Sequence, residues 1–438
     1  MTVTMGATET TTRSELEALQ LTKARRLLER LAANPFYGPR LRRAGVTGDR
    51  LADMQCWRDI PLADKADFVA DQEAHPPYGS RLGIDEGEIR QLHLTSGTSG
   101  FGQETFALTD ADLDVSGAGW AWCFDSLGLG AGELFVTFYP ITFLAYGRSV
   151  LEGSRVSGVP VFSMAGVDRS LAAALLRRLQ PRSIGARPAL FGLLAEELSR
   201  DGTVPRDAFP DLRTVICSGV APTAATTIEE QWGVTVHEVY GSSQAGGLVA
   251  ATGSEGAAPD GRAGVMRLLE HLFYVETLDP ATLEPVEEGE AELVLTCLDR
   301  VASPVLRFRT RDRVHVVPAG SFGDTRPVRG LRCGAIDRFD DMLKIRGNNV
   351  WPTQLDEALL GHPAVADYRA DVTLDGRGVD LLAIRVRTAA GIGDHAALAA
   401  ELTHRVKLAT NVTPTVEWAP DLPPPELKPR RLADRRRP

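Results

Sequence analysis

Apolar positions recur at helical spacing over residues 14–33, where Leu16, Leu19, Leu27, Leu28 and Leu31 fall on or near one stripe. Further along, the period shortens. Residues 135–139 and 159–162 are brief apolar runs of the kind that form fully buried strands, with a helix expected between them over 143–152. Residues 171–179 read as a helix, 212–217 as a strand running into Ser218-Gly219, 224–232 as a helix, and 234–240 as a strand. Strands separated by helices predict parallel sheets covered by helices. In such folds ligands sit beyond the carboxyl ends of the strands. Ser218-Gly219 and Tyr240-Gly241 both fall at such ends.

The texture changes near Val275. Residues 292–296 and 305–309 are strand-like with turn residues between them, which predicts an antiparallel or barrel-like portion. It changes again after Asp340: 343–347 and 379–387 read as strands and 394–409 as a helix. Residues 351–360 read as a helix with Pro352 in its first turn. The expected fold class is α/β: a large N-terminal domain (1–339) of parallel sheets flanked by helices plus the barrel-like portion, then a small α+β C-terminal domain (340–438).

A chain of 438 residues exceeds one ordinary core, in keeping with that division. The net charge of -10 argues against a general nucleic-acid or membrane-surface binder. No apolar run approaches the roughly 20 residues that span a bilayer. Residues 1–13 are polar and Thr-rich, without the apolar stretch of a secretory signal, so a cytoplasmic location is expected. Five cysteines without CxxC spacing read as reduced thiols rather than a zinc site.

The densest chemistry lies in Thr95-Ser96-Gly97-Thr98-Ser99-Gly100-Phe101-Gly102. Glycines let backbone N–H groups turn inward and hydroxyls add donors, so such a loop can wrap phosphate oxygens. It lacks the Gly-Lys-Ser/Thr ending of a Walker loop. Tyr240, Asp312 between Arg311 and Arg313, Arg338 beside Asp337, and Lys428 in a basic tail are further candidates. Each has a plain structural reading: a rim aromatic, a surface charge cluster, a solvated ion pair, a charged terminus.

Their order along the chain resolves the choice. The segments 34–37 (Asn-Pro-Phe-Tyr), 60–65 (Ile-Pro-Leu-Ala-Asp-Lys), the 95–102 loop, 239–244 (Val-Tyr-Gly-Ser-Ser-Gln), 308–312 (Phe-Arg-Thr-Arg-Asp) and 340–352 follow one another as in a known family. The chain resembles the adenylate-forming ligases, within them the phenylacetate-CoA ligase branch, over nearly its full length. The resemblance implies ATP, Mg2+ and coenzyme A as cofactors, and a carboxylic acid activated as its acyl-adenylate before transfer to a thiol.

It also implies roles. Thr95, Ser96, Gly97, Thr98, Ser99 and Gly100 would hold the β- and γ-phosphates, with Gly219, Gly241, Ser242 and Ser243 also at the nucleotide. Tyr240 would lie against adenine, Asp312 would accept from the ribose hydroxyls, and Arg338 would reach ribose or phosphate. Lys428 would be the catalytic lysine bridging the acid and the α-phosphate. Asp340 would be the hinge of a mobile C-terminal domain that brings Lys344 and its neighbours up to residue 349 to the site in the second step.

Several residues depart from the family pattern. Gln244 stands where the family typically has Glu, expected to help hold magnesium. An amide oxygen can coordinate but supplies no charge. Leu427 replaces a glycine before Lys428, and residues 218–222 lack the carboxylate of the relatives' Gly-Ala-Glu-Pro. Candidate acid-pocket residues are Tyr139, Phe143, Ala145, Gly147, Ala186, Ser218 and Gly219, a set of aromatic and small residues that fits a compact aromatic acid. Arg148 and Arg187 read as surface residues unless they face a carboxylate. A carrier-protein (acyl or peptidyl) pantetheine, an amine or a hydroxyl is an alternative acceptor, a degenerate nucleotide-binding protein is a second alternative, and a homodimer is a family-level expectation.

Overall fold

The computed structural model describes residues 12–95, 103–142, 144–323, 326–376, 378–388, 395–423 and 431–436. Ser96, Gly97, Thr98, Ser99, Gly100, Phe143 and Lys428 therefore lie outside the described residues.

A hairpin of β1 (Gln91–Leu94) and β2 (Thr105–Leu108) closes the base of the 95–102 loop. Next come β3 (Phe135–Thr137), β4 (Val161–Ser163), β5 (Ser183–Gly185), β6 (Thr214–Cys217) and β7 (Thr235–Ser242). These pair in parallel in the order β4-β3-β5-β6-β7. Every residue of β3, β5 and β6 is buried, as expected of apolar strands covered on both faces. Helices Ala145–Ser157, Arg169–Leu179, Pro188–Ser199 and Pro222–Trp232 connect or flank them. The last two start on proline, whose missing N–H costs nothing in a first turn.

The antiparallel portion joins this sheet rather than standing apart. Strand β7 pairs antiparallel with β8 (Gly247–Thr252), followed by β9 (Val265–Leu268), β10 (Phe273–Leu278), β11 (Gly289–Cys297), β12 (Phe308–Val317), β13 (Gly330–Arg332) and β14 (Asp337–Arg338). The strand expected over 305–309 instead begins at Phe308 and runs to Val317. Arg307 explains the difference. Its φ of 46° breaks the extended run, and its guanidinium turns inward to pair with Glu276 and to bond the carbonyls of Arg58 and Ile60.

One apolar core serves this whole sheet. A second, separate core belongs to the C-terminal part. There, β15 (Leu343–Ile345) and β16 (Asn348–Val350) form a hairpin. Strands β17 (Val365–Leu374), β18 (Asp380–Thr388), β19 (Thr415–Trp418) and β20 (Leu432–Asp434) form a sheet in the order β19-β18-β17-β20, with helices Pro352–Leu360 and His395–Thr410. Asp337 ties the two parts together: its carboxylate accepts from the Thr353 backbone N–H (3.1 Å) and hydroxyl (2.6 Å) at the start of the helix Pro352–Leu360. Among the described residues no helix is long and apolar enough to cross a membrane.

Candidate active site

The carboxyl ends of the parallel strands open into a cavity of about 510 Å3. Tyr139 and Pro140 follow β3, Arg187 follows β5, Ser218 follows β6, and Tyr240, Gly241 and Ser242 come from the end of β7. Residues 308–312 of β12, Arg338 and Asp340 complete one wall; Asp64, Lys65, Ala66 and Thr95 complete another. The chain thus brings together eleven residues expected from sequence: Thr95, Tyr139, Ser218, Tyr240, Gly241, Ser242, Ser243, Gln244, Asp312, Arg338 and Asp340.

Asp312 reaches the cavity through a β-bulge. In the pairing of β11 with β12, Glu292 faces Arg313 and Val294 faces Arg309, so three residues of β12 oppose Leu293. Arg311, at the crest, has φ of 61°. The Thr310 hydroxyl pins the bulge, donating to the Leu293 carbonyl (2.8 Å) and accepting from the Asp312 N–H (3.1 Å). Tyr240 then donates its phenol proton to Asp312 Oδ2 at 2.5 Å. Burial and the Asp312 charge raise the Tyr240 pKa well above its ordinary value, so the phenol stays protonated. Arg338 pairs with Asp312 across the β12–β14 ladder.

A second group surrounds Tyr139. Its hydroxyl donates to the Ala186 carbonyl (3.0 Å) and accepts from the Ser218 N–H (3.0 Å), joining the ends of three strands. Tyr146 packs on it with ring centroids 4.6 Å apart. Gly147 does not line the cavity but makes its wall possible: a Cβ there would sit 2.1 Å from the Pro140 carbonyl oxygen. Ala145 and Ala186 also stand behind the lining, both buried. Gly219 lies off the lining as well, with φ of 71° in the turn after β6. The fully buried carboxyl of Glu238, pushed up to about 7 by burial, accepts from the N–H groups of Val220 (3.4 Å) and Gly334 (2.8 Å) and so anchors this turn.

The third group sets one cation, Lys65, and the Gln244 amide beside the carboxyls of Asp64 and Glu104. Asp64 caps the helix Lys65–Ala74, accepting from the Asp67 N–H, which directs the positive end of that helix to the cavity. Gln244 donates from Nε2 to Glu104 Oε2 at 2.7 Å. Glu104 is fully buried, and Lys65 Nζ stands 3.9 Å from the same oxygen. Burial pushes the Glu104 carboxyl up to about 7, while Lys65 and Arg81 pull against it.

Sequence reading did not single out Lys65, Glu104, Thr310, Arg311 or Glu238. Lys65 had one available signal, its place at the end of the 60–65 segment. Arg187, read as a surface residue unless it faces a carboxylate, lines the cavity, and desolvation lowers its pKa. Arg148 does not line it; its Nε bonds the Thr142 carbonyl at 2.7 Å. Lys344 is also off the lining, exposed on β15, where its carbonyl accepts from Arg436 at 2.8 Å.

The hydrogen-bonded Tyr240–Asp312 pair, Thr95 and the N-terminus of the helix Lys65–Ala74 around one cavity, with a small C-terminal domain beside it, are the arrangement of an adenylate-forming ligase. Residues 347–436 match the AMP-binding enzyme C-terminal domain family. The chain is 30% identical to the phenylacetate-coenzyme A ligase of Pseudomonas putida over 355 residues, covering 80% of this chain and 77% of that one. It is 28% identical to the phenylacetate-coenzyme A ligase of Aromatoleum evansii over 421 residues, covering 93% and 91%. The fold is shared with 2-hydroxyisobutyryl-CoA ligase in its post-adenylation state with bound 2-HIB-AMP, at a TM-score of 0.87 and 23% identity, covering 98% of this chain and 91% of that one. The chain belongs to the phenylacetate-CoA ligase family.

Proposed function

We propose that this enzyme activates a small aromatic carboxylic acid with ATP and transfers the acyl group to coenzyme A. The acid's carboxylate oxygen attacks the α-phosphorus of ATP, forming the acyl-adenylate and releasing pyrophosphate. The thiolate of coenzyme A then attacks the acyl carbon, and AMP leaves. The observation that carries this reading is that Tyr240 and Asp312 meet at 2.5 Å in the same cavity whose wall holds the tilted, packed rings of Tyr139 and Tyr146.

Asp312 accepts from the ribose hydroxyls, held by Tyr240 and the Thr310 hydroxyl. Arg338 faces ribose or phosphate. Thr95, Lys65 and the N-terminus of the helix Lys65–Ala74 meet the negative charge that gathers on the phosphates, together with Ser96, Gly97, Thr98, Ser99 and Gly100. Lys428 bridges the acid and the α-phosphate. The aromatic ring of the acid lies against Tyr139 and Tyr146, with Arg187 at the same wall. The C-terminal domain begins at the Asp340 hinge and swings Lys344 toward the cavity for thioester formation.

Magnesium would neutralise charge on the ATP phosphates. Magnesium is commonly held by substrate phosphates with one or two protein oxygens. Gln244, on the cavity wall, offers such an oxygen.

The test is acid-dependent pyrophosphate release with ATP and magnesium over a panel of substituted benzoates, arylacetates and short aliphatic hydroxy acids, with and without coenzyme A. Release with an aromatic acid and formation of its CoA thioester is expected. Preference for an aliphatic acid overturns the aromatic assignment, and release without thioester redirects the acyl group to a carrier protein, amine or hydroxyl.

A further inference from the structure

Glu104 is a carboxylate with no exposed surface. Its Oε2 accepts from Gln244 and lies 3.9 Å from Lys65, while its Oε1 is buried without a hydrogen-bond partner. An incompletely bonded buried carboxylate is costly and is poorly explained by core packing alone. Its main chain is fixed as firmly as its side chain: the Thr95 N–H donates to the Glu104 carbonyl (3.0 Å), and the Glu104 N–H donates to the Thr95 hydroxyl (2.9 Å). Glu104 therefore closes the base of the loop that begins at Thr95. Gln244 is held from its other side, where Arg300 Nη2 (3.4 Å) and Cys297 Sγ (3.7 Å) reach its backbone carbonyl.

We propose that Glu104 and Gln244 act as one unit at the cation site of the nucleotide, with Glu104 a positioning residue that supplies the charge position 244 lacks. Gln244 Nε2 donates to the Glu104 carboxyl, which fixes the amide with its Oε1 left for the cavity. The amide oxygen thus becomes a fixed ligand, and the negative charge sits one hydrogen bond behind it. The unit replaces a single glutamate at 244 by a glutamine in front and a glutamate behind. This rests on the ligase reading for the identity of the nucleotide, but not for the geometry of the pair.

The arrangement makes an unusual demand on mutation. Gln244→Glu restores the residue typical of the family, yet places two carboxylates at hydrogen-bond distance, where like charges oppose each other. Glu104→Gln keeps the volume, removes the charge and lets the Gln244 amide turn. Combining Glu104→Gln with Gln244→Glu puts one carboxylate in front and one amide behind, and the bond can re-form with roles exchanged.

The experiment measures Mn2+ affinity by electron paramagnetic resonance on the full-length protein with a non-hydrolysable ATP analogue, for wild type, both single variants and the double variant. Melting temperature and metal-free analogue affinity are measured alongside. Each single variant is expected to weaken Mn2+ binding by about tenfold or more, and the double variant to return within about threefold of wild type. Wild-type affinity in Gln244→Glu, or losses that simply add in the double variant, overturns the proposal. Because the readout is metal binding, it stands whichever acid is activated: failure of the ligase reading shows as no pyrophosphate release with any acid, and failure of the pairing shows as an additive cycle.

Discussion

The Tyr240 hydroxyl and Asp312 Oδ2 lie 2.5 Å apart although 72 residues of chain separate them. The bond holds the carboxylate that the bulge of β12 delivers to the cavity. A hydrogen bond to a charged group is worth about 1.5–3 kcal/mol, so Tyr240→Phe is expected to raise the KM for ATP by roughly tenfold or more. Asp312→Ala removes the acceptor itself and is expected to reduce kcat/KM for ATP by about a hundredfold or more. Initial rates of pyrophosphate release at varied ATP check both, and an unchanged KM for ATP in either variant rejects the ribose assignment.

Tyr139 bonds two backbone groups, Ala186 O and Ser218 N, rather than any charged side chain. Tyr139→Phe leaves both without that partner at the wall where the proposed function places the acid. The expected result is a KM for the acid raised by about tenfold with the KM for ATP unchanged, separable by varying each substrate in turn. A rise confined to ATP places Tyr139 at the nucleotide instead.

Arg307 and Glu276 form a buried pair at 2.7 Å, and the same guanidinium bonds the carbonyls of Arg58 and Ile60 just before Asp64 and Lys65. Glu276→Ala leaves a buried, unpaired cation and is expected to cost about 3–5 kcal/mol of stability. Urea unfolding measures it; a loss under about 1 kcal/mol shows that solvent reaches the arginine.

Glu238 gives the enzyme a pH dependence of stability. Burial raises its folded pKa from 4.5 to about 7, so between these values the folded state binds more protons than the unfolded one. The sign follows: this contribution is full below about 4.5 and is lost as pH rises through about 7. Glu238→Gln, which does not titrate, is expected to gain on the wild type in melting temperature between pH 5 and pH 8. Parallel melting curves across that range show that the carboxyl is not desolvated in solution.

Much of the fold was legible because it is written locally. The strands expected over 135–139, 212–217 and 234–240 form as β3, β6 and β7, and residues at or just beyond their carboxyl ends reach the cavity. Tyr240, Asp312 and Arg338 were legible through resemblance, and the structure brings them together. The bulge was not, because Arg-Thr-Arg-Asp continues the alternation of buried and exposed positions along β12 and hides the extra residues. Whether Arg187 faces the cavity or solvent stays open in the sequence, because a lone arginine after a strand has no local sign of what faces it.

The sequence by itself determined the strand–helix order and the residue types that line the cavity, since periodicity and motif depend on near neighbours. Only the tertiary structure decided which charges share one site. Gln244 alone reads as a lost carboxylate; folding sets Glu104, 140 residues earlier, 2.7 Å from its amide. Pairing of that kind depends on burial and distance in space, which spacing along the chain does not encode.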